Sequence, residues 1–154
     1  MTRAPAGDEA GLRVAIEQAR IGAAEGGVPI GAALVADDGT VLGAGHNRRV
    51  QINSAIRHGE TDALENAGRL PASVYRRSTM YTTLSPCDMC TGAILLYGIP
   101  RVVIGENRTF VGGEDYLRAR GVEVVNLDSP ECVELMTAYI AEHPDVWDED
   151  IGEE

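Results

Sequence analysis

The chain has 154 residues, of which 44% are apolar and 24% are charged, the proportions of an ordinary single globular domain. Its formal net charge of −11 opposes unassisted binding to nucleic-acid phosphates and to anionic membranes, so a small-molecule ligand is expected. Three cysteines do not suggest a disulfide framework, and the opening MTRAPAGDEAG lacks an apolar core of signal-peptide length. These observations predict a protein of a reducing compartment, the cytoplasm.

The first half of the chain predicts a helix, a β-hairpin and a second helix. Apolar residues recur at helical spacing over 8–25, and the glycines at 26 and 27 end that helix. The segments VPIGAALVA and TVLGAGHN flank DDGT, a sequence typical of a hairpin turn. The second helix is predicted over 58–67.

The second half of the chain alternates strands and helices. STMYTTL, RVVIG and EVVNL predict strands, and helices are expected over CDMCTGAILLYG, around 114–120 and over 130–142. This order predicts an α/β fold, a three-layer αβα sandwich with a central mixed sheet of about five strands and helices on both faces. Ligands of such sheets bind outside the carboxyl ends of the strands.

Two short motifs carry the chemistry, HGE at 58–60 and PCDMC at 86–90. Alone, PCDMC is compatible with a redox pair, half of a structural zinc site, part of a catalytic metal site, or two small residues on a helix. Together, and each at a predicted helix start, the motifs match the H-x-E…P-C-x-x-C signature of zinc-dependent nucleobase deaminases.

The residue types fit that chemistry. His58, Cys87 and Cys90 would hold one Zn²⁺ per chain and leave a fourth position for water, which becomes hydroxide near neutral pH. A helix N-terminus lowers the pKa of cysteines placed there. Glu60 is two residues from His58 and does not share its helical face, so it is expected to move protons instead of binding the metal.

The competing interpretations need other residues. A thioredoxin-like pair needs no His-x-Glu partner, and a structural zinc site would need a fourth ligand. The remaining candidates are Cys132, interpreted as a core cysteine, His46, interpreted as structural, and His143, interpreted as an exposed residue at a helix end.

The chain resembles the small fungal-type zinc cytosine deaminases of the cytidine deaminase-like superfamily. The likeness runs from about residue 12 to the C-terminus. It rests on EGGVPIG, GHN, HGE, LENAGRLP, YTTLSPCDMCTGAI, YGIPR, GEN and EDIGE. The resemblance implies hydrolysis of free cytosine to uracil and ammonia, a homodimer, and a single catalytic domain over 1–154 whose tail, 144–154, covers the active site.

The resemblance also implies a role for individual residues. Glu60 would pass the proton of water to ring N3 and later to the departing ammonia, while the zinc hydroxide attacks C4. Asn47 would read N1 and O2, and the Gly59 N–H would donate to O2. The Ser85 carbonyl and Asp150 would accept from the exocyclic amine. The pocket walls would be Phe110, Trp147 and Ile30.

Some positions depart from the family pattern. Asp148 stands where an aromatic residue is expected, which removes apolar surface beside the tail. The loop RTFVGGEDY is shorter and richer in glycine, so a shift of Phe110 is expected. TDAL after HGE also differs, and Asp62 receives no chemical role. Without the resemblance, DVWDEDIGEE would be interpreted as a solvated acidic end, and a lone Trp or Phe as core.

Three alternative functions stay open. One is a deaminase of another aminated ring, such as guanine, isocytosine or a triazine. Another is a tRNA adenosine deaminase, although such enzymes usually have His-Ala-Glu and the net charge of −11 disfavours a tRNA surface. The third is a non-enzymatic module with structural zinc, which Glu60 disfavours.

Overall fold

The computed structural model describes residues 7–154; residues 1–6, which belong to the predicted domain, lie outside the described part. The elements, in chain order, are α1 (Gly7–Ala24), β1 (Gly31–Ala36), β2 (Val41–His46), α2 (Gly59–Ala67), α3 (Ala72–Tyr75), β3 (Ser78–Thr82), α4 (Asp88–Leu96), β4 (Arg101–Ile104), α5 (Glu114–Ala119), β5 (Glu123–Asn126), α6 (Pro130–Glu142) and α7 (Pro144–Asp150). Within the described residues, no helix has both the length and the apolar character needed to cross a bilayer.

The five strands form one sheet in the order β2-β1-β3-β4-β5. β1 pairs antiparallel with both β2 and β3, whereas β3, β4 and β5 are parallel to one another. The predicted mixed sheet is therefore confirmed. The hairpin turn contains Gly39 at φ +89°, a backbone conformation that favours glycine.

Helices cover both faces of the sheet because successive strand residues point to opposite sides. On one face, Leu34 and Met80 pack with Ile94 of α4. On the other face, Val35 and Tyr81 pack with residues of α1 and with Cys132 of α6. Cys132 is 1% exposed, as predicted for a core cysteine.

Two helices were not predicted from the sequence. α3 is one short turn that follows Pro71. α7 forms in the acidic tail, where Pro144 occupies the first turn and His143 precedes it as N-cap. The tail is not the solvated end that its composition alone would suggest, because Trp147 and Asp150 are buried.

Candidate active site

The two motifs lie at neighbouring helix starts. His58 is the N-cap of α2 and Cys87 is the N-cap of α4, so each helix begins one residue later than predicted. Both residues have extended backbone, with ψ near 175° (174° at His58 and 176° at Cys87), which turns their side chains toward the same space. Cys90 follows in the first turn of α4 and is fully buried.

The three predicted ligands converge. The donor atoms of His58, Cys87 and Cys90 all lie within 4.8 Å of one another. The Nδ1 atom of His58 is 3.4 Å from the Cys87 sulfur and 3.7 Å from the Cys90 sulfur. Tetrahedral zinc with bonds of about 2.3 Å to sulfur and about 2.1 Å to nitrogen would place these atoms about 3.6 Å apart. The donor set therefore fits one zinc ion.

The electrostatics of the site favour the metal-binding form of one of the three ligands, the Cys87 thiolate. The pKa of Cys87 is lowered to about 4 by a hydrogen bond with Cys90 and by His58, although burial opposes the shift. The thiolate is the form of cysteine that binds metals. Cys90 has a pKa well above its usual value because it shares its hydrogen bond with that thiolate and is buried. Burial lowers the pKa of His58, but the contacts with Asp150 and Cys87 outweigh it and raise the pKa to about 10.

Glu60 lies beside the ligands without joining them. It is 4% exposed, and the described group of metal-capable donors contains only His58, Cys87 and Cys90. Burial, together with the nearby charge of Cys87, raises the pKa of Glu60 to about 7. A carboxyl with such a pKa can both accept and release a proton near neutrality.

A cavity adjoins these groups at the end of the sheet. Eight of the predicted site residues line it: Ile30, His58, Glu60, Ser85, Cys87, Phe110, Trp147 and Asp150. Sequence reasoning missed two further lining residues, Leu84 and Ile151. The cavity is nearly closed, with a volume of about 20 Å³, which is room for about one water molecule, so a larger ligand requires its walls to move apart. Among the predicted site residues, Cys90, Asn47 and Gly59 do not line it; all three are buried.

The aromatic walls meet as expected of a closed pocket. The rings of Phe110 and Trp147 are 5.7 Å apart at 89°, an edge-to-face arrangement. Phe110 therefore reaches the cavity despite the glycine-rich loop that follows it. Asp148 does not line the cavity.

α7 is fastened by polar contacts that the sequence did not reveal. Arg49 Nε donates to Asp150 Oδ1 at 2.5 Å, and Asn47 Nδ2 donates to Asp150 Oδ2 at 3.1 Å. The Nε2 atom of His58 lies 3.0 Å from Asp150, but off the direction of a hydrogen bond. Burial would raise the pKa of Asp150, yet His58 and Arg49 hold it below its usual value. The sequence signal for the contact between Arg49 and Asp150 was the presence of an arginine two positions after Asn47.

Asp62 has a structural role. It is fully buried, and its carboxylate pairs with Arg48 at 3.0 Å and with Arg57. It also accepts a hydrogen bond from the backbone N–H of His46 at 3.0 Å. Asp62 thus ties the first turns of α2 to both ends of the loop between Asn47 and His58. The ring of His46 contacts Gln18 and Glu25, as expected for a structural histidine.

The fold and the ligand set define a class of protein. Residues 5–106 match the family described as "Cytidine and deoxycytidylate deaminase zinc-binding region", so the chain belongs to the zinc-binding deaminases of this family.

Particular relatives narrow that class. The chain is 60% identical to a cytosine deaminase of Candida albicans over 146 residues, which cover 95% of this chain and 97% of the relative. It is 34% identical to a tRNA-specific adenosine deaminase of Haemophilus influenzae, covering 86% and 82% of the two chains. Among solved structures, the guanine deaminase from Nitrosomonas europaea superposes with a TM-score of 0.72 at 28% identity, covering 92% of this chain and 87% of the other.

Proposed function

We propose that the protein hydrolyses free cytosine to uracil and ammonia. The observation that carries this proposal is the 60% identity with a cytosine deaminase along nearly the whole of both chains. The lining of the cavity beside the zinc ligands combines aromatic walls with hydrogen-bonding groups, which suits a pyrimidine ring. The protein is thus a hydrolase that acts on a C–N bond of a cyclic amidine, with a role in pyrimidine salvage.

His58, Cys87 and Cys90 hold the zinc ion, which when bound supplies a Lewis acid that lowers the pKa of water. Glu60 accepts the proton from the attacking water and delivers it to ring N3. Once the water oxygen has bonded to C4, Glu60 takes the proton of the resulting C4 hydroxyl and delivers it to the exocyclic nitrogen, so that the C4–N bond breaks, the C4 carbonyl forms and ammonia leaves. The buried position of Glu60 and its pKa of about 7 support this role.

The proposed substrate contacts are those that the resemblance to cytosine deaminases implies. Asp150 and the Ser85 carbonyl accept from the exocyclic amine, and the Gly59 N–H donates to O2. Asn47 reads N1 and O2; its Nδ2 currently donates to Asp150 and its Oδ1 accepts from the backbone N–H of Arg49. The second N–H of Asn47 Nδ2 and the second lone pair of its Oδ1 remain for the ring.

The tail acts as the cover of the site within a single domain of residues 1–154. Trp147 and Asp150 lie three residues apart on one face of α7, and both line the cavity. Since α7 closes this wall, substrate entry and product release require it to move.

The protein is further proposed to be a cytoplasmic homodimer that does not bind nucleic acid. Leu96 and Tyr97, at the end of α4, are 75% and 42% exposed, which is consistent with a covered apolar surface. The net charge of −11 supports the absence of nucleic-acid binding. Sedimentation equilibrium of the zinc-loaded chain measures the mass: about twice 16.4 kDa is expected, and the monomer mass would refute the dimer.

A substrate panel tests the proposed reaction. Ammonia release is measured with zinc-loaded protein and cytosine, cytidine, guanine, isocytosine or tRNA. Turnover of cytosine in clear preference to the others is expected. Turnover of guanine or isocytosine without cytosine would assign the site to another aminated base, and turnover of tRNA alone would assign it to adenosine deamination.

A further inference from the structure

A buried carboxylate that the proposed chemistry does not use lies behind the cavity wall. Glu114, the first residue of α5, is 3% exposed. Its Oε2 accepts a hydrogen bond from Ser85 Oγ at 2.6 Å, and its Oε1 accepts one from Asn107 Nδ2 at 3.3 Å. Glu114 therefore joins the segment after β3 to the loop after β4.

Ser85 is fixed from several sides. Its hydroxyl donates to Glu114 and accepts from the Gly112 N–H at 2.9 Å, while its backbone N–H donates to the Glu106 carbonyl at 3.1 Å. In the part of the chain that the structure describes, 7–154, no donor reaches the Ser85 carbonyl oxygen. The polar group of Ser85 that remains available to a ligand is thus its carbonyl.

The two glycines of the loop permit this contact. A Cβ atom on Gly112 would lie 1.8 Å from the Pro86 carbonyl oxygen, and one on Gly113 would lie 2.4 Å from Thr91 Oγ1. The Gly113 N–H also donates to the Pro86 carbonyl at 2.9 Å. The glycine-rich sequence therefore lets the loop lie directly against the segment that leads into the zinc ligands.

We propose that Glu114 is a positioning residue for substrate recognition. Through Ser85 and Gly112 it fixes two walls of the cavity relative to each other, the Ser85 carbonyl and the ring of Phe110. Phe110 precedes Gly112 by two residues and packs against Trp147. The inference rests on the proposed function, because it assumes that these two walls contact the base.

Replacing Glu114→Gln tests the link with little change of shape. A carboxylate accepts from both the buried Ser85 hydroxyl and the half-buried Asn107 amide, whereas the amide of glutamine has one acceptor oxygen and turns an NH2 group toward one of these donors. We expect KM for cytosine to rise about tenfold, kcat to stay within about threefold, and zinc content to be unchanged. Ser85→Ala, which removes the other end of the link, should do the same.

The double variant and a neighbouring control separate positioning from general damage. The KM of the double variant Glu114→Gln/Ser85→Ala should not exceed the higher KM of the two single variants, because both changes break the same hydrogen bond. Asp115→Asn removes the other carboxylate beside Arg118, which lies 3.6 Å from Glu114 and 3.7 Å from the fully exposed Asp115, and should leave KM unchanged. An unchanged KM in Glu114→Gln, or additive effects in the double variant, would overturn the proposal.

The only tryptophan supplies a readout that does not depend on turnover. Trp147 is 5% exposed and faces Phe110, so loosening the loop should increase acrylamide quenching of its fluorescence about twofold in Glu114→Gln and not in Asp115→Asn. If the wild-type protein deaminates cytosine, the KM values of the variants decide whether Glu114 is a positioning residue.

If the wild-type protein does not deaminate cytosine, the proposed function is wrong. Fluorescence quenching then decides whether Glu114 orders the cavity walls, and unchanged quenching in Glu114→Gln would overturn this inference too.

Discussion

Two walls of the cavity are built on different physical principles. The floor consists of the zinc ligands His58, Cys87 and Cys90 together with Glu60. These side chains lie at the N-terminal ends of α2 and α4, two helices that pack on the sheet. The cover (α7 with Ile151) is a helix of seven residues near the chain end, fastened through Arg49 and Asn47. Under the proposed function, the floor would perform the chemistry while the cover would control access.

Loss of a zinc ligand should have the largest effect. In Cys87→Ser, the weaker donor should leave zinc content well below that of the wild type and abolish activity, because a site of three protein ligands does not tolerate the loss of one. Metal analysis of dialysed protein together with ammonia release checks this. Full zinc occupancy in the variant would contradict the assigned ligand set.

Loss of the proton carrier should be nearly as damaging with the metal retained. Glu60→Gln keeps the shape of the side chain but cannot accept a proton, so kcat should fall by about a hundredfold to ten-thousandfold. Zinc content and the thermal midpoint should match the wild type. Normal turnover by a zinc-loaded variant would refute the role of Glu60.

Changing the cover should act chiefly on binding. Asp150→Asn weakens the acceptor for the exocyclic amine and the contact with Arg49, so KM for cytosine should rise about tenfold with zinc retained. Steady-state kinetics measure the effect. An unchanged KM would mean that the cover contributes nothing to recognition.

Unfastening the cover from outside the cavity should have a smaller effect. Arg49→Leu removes the contacts with Asp150 and Glu149, so KM should rise about threefold to tenfold. The matched control is Arg108→Leu, which removes the exposed pair of Arg108 with Asp128 and should leave KM unchanged. Equal kinetics in both variants would show that Arg49 does not hold α7.

Asp148 tests whether only the inner face of α7 contributes to the site. It belongs to α7 but does not line the cavity, so Asp148→Ala should change KM and kcat by less than about twofold. A larger change would show that the outer face of α7 also shapes the site.

The difference between the floor and the cover also explains which parts of the site could be predicted from the sequence. The floor follows from two local motifs at helix starts, and the hydrophobic periods placed all five strands and most helices. α7 was missed because an acidic segment gives no helical pattern, and its burial depends on Val28, Ile30 and Leu84, which are distant in the chain. The fastening by Arg49 and the bond between Glu114 and Ser85 join residues more than 25 positions apart, so only the folded chain brings them together.

The distribution of the three cysteines has a consequence for oxidative stability. Burial raises the pKa of Cys132 to about 11, which keeps it a neutral, unreactive thiol, whereas the pKa of Cys87 is about 4. Sulfur oxidation proceeds through the thiolate, so peroxide damage should begin at Cys87. Zinc held by His58, Cys87 and Cys90 would occupy that sulfur and would thereby protect it from oxidation as well as serving catalysis.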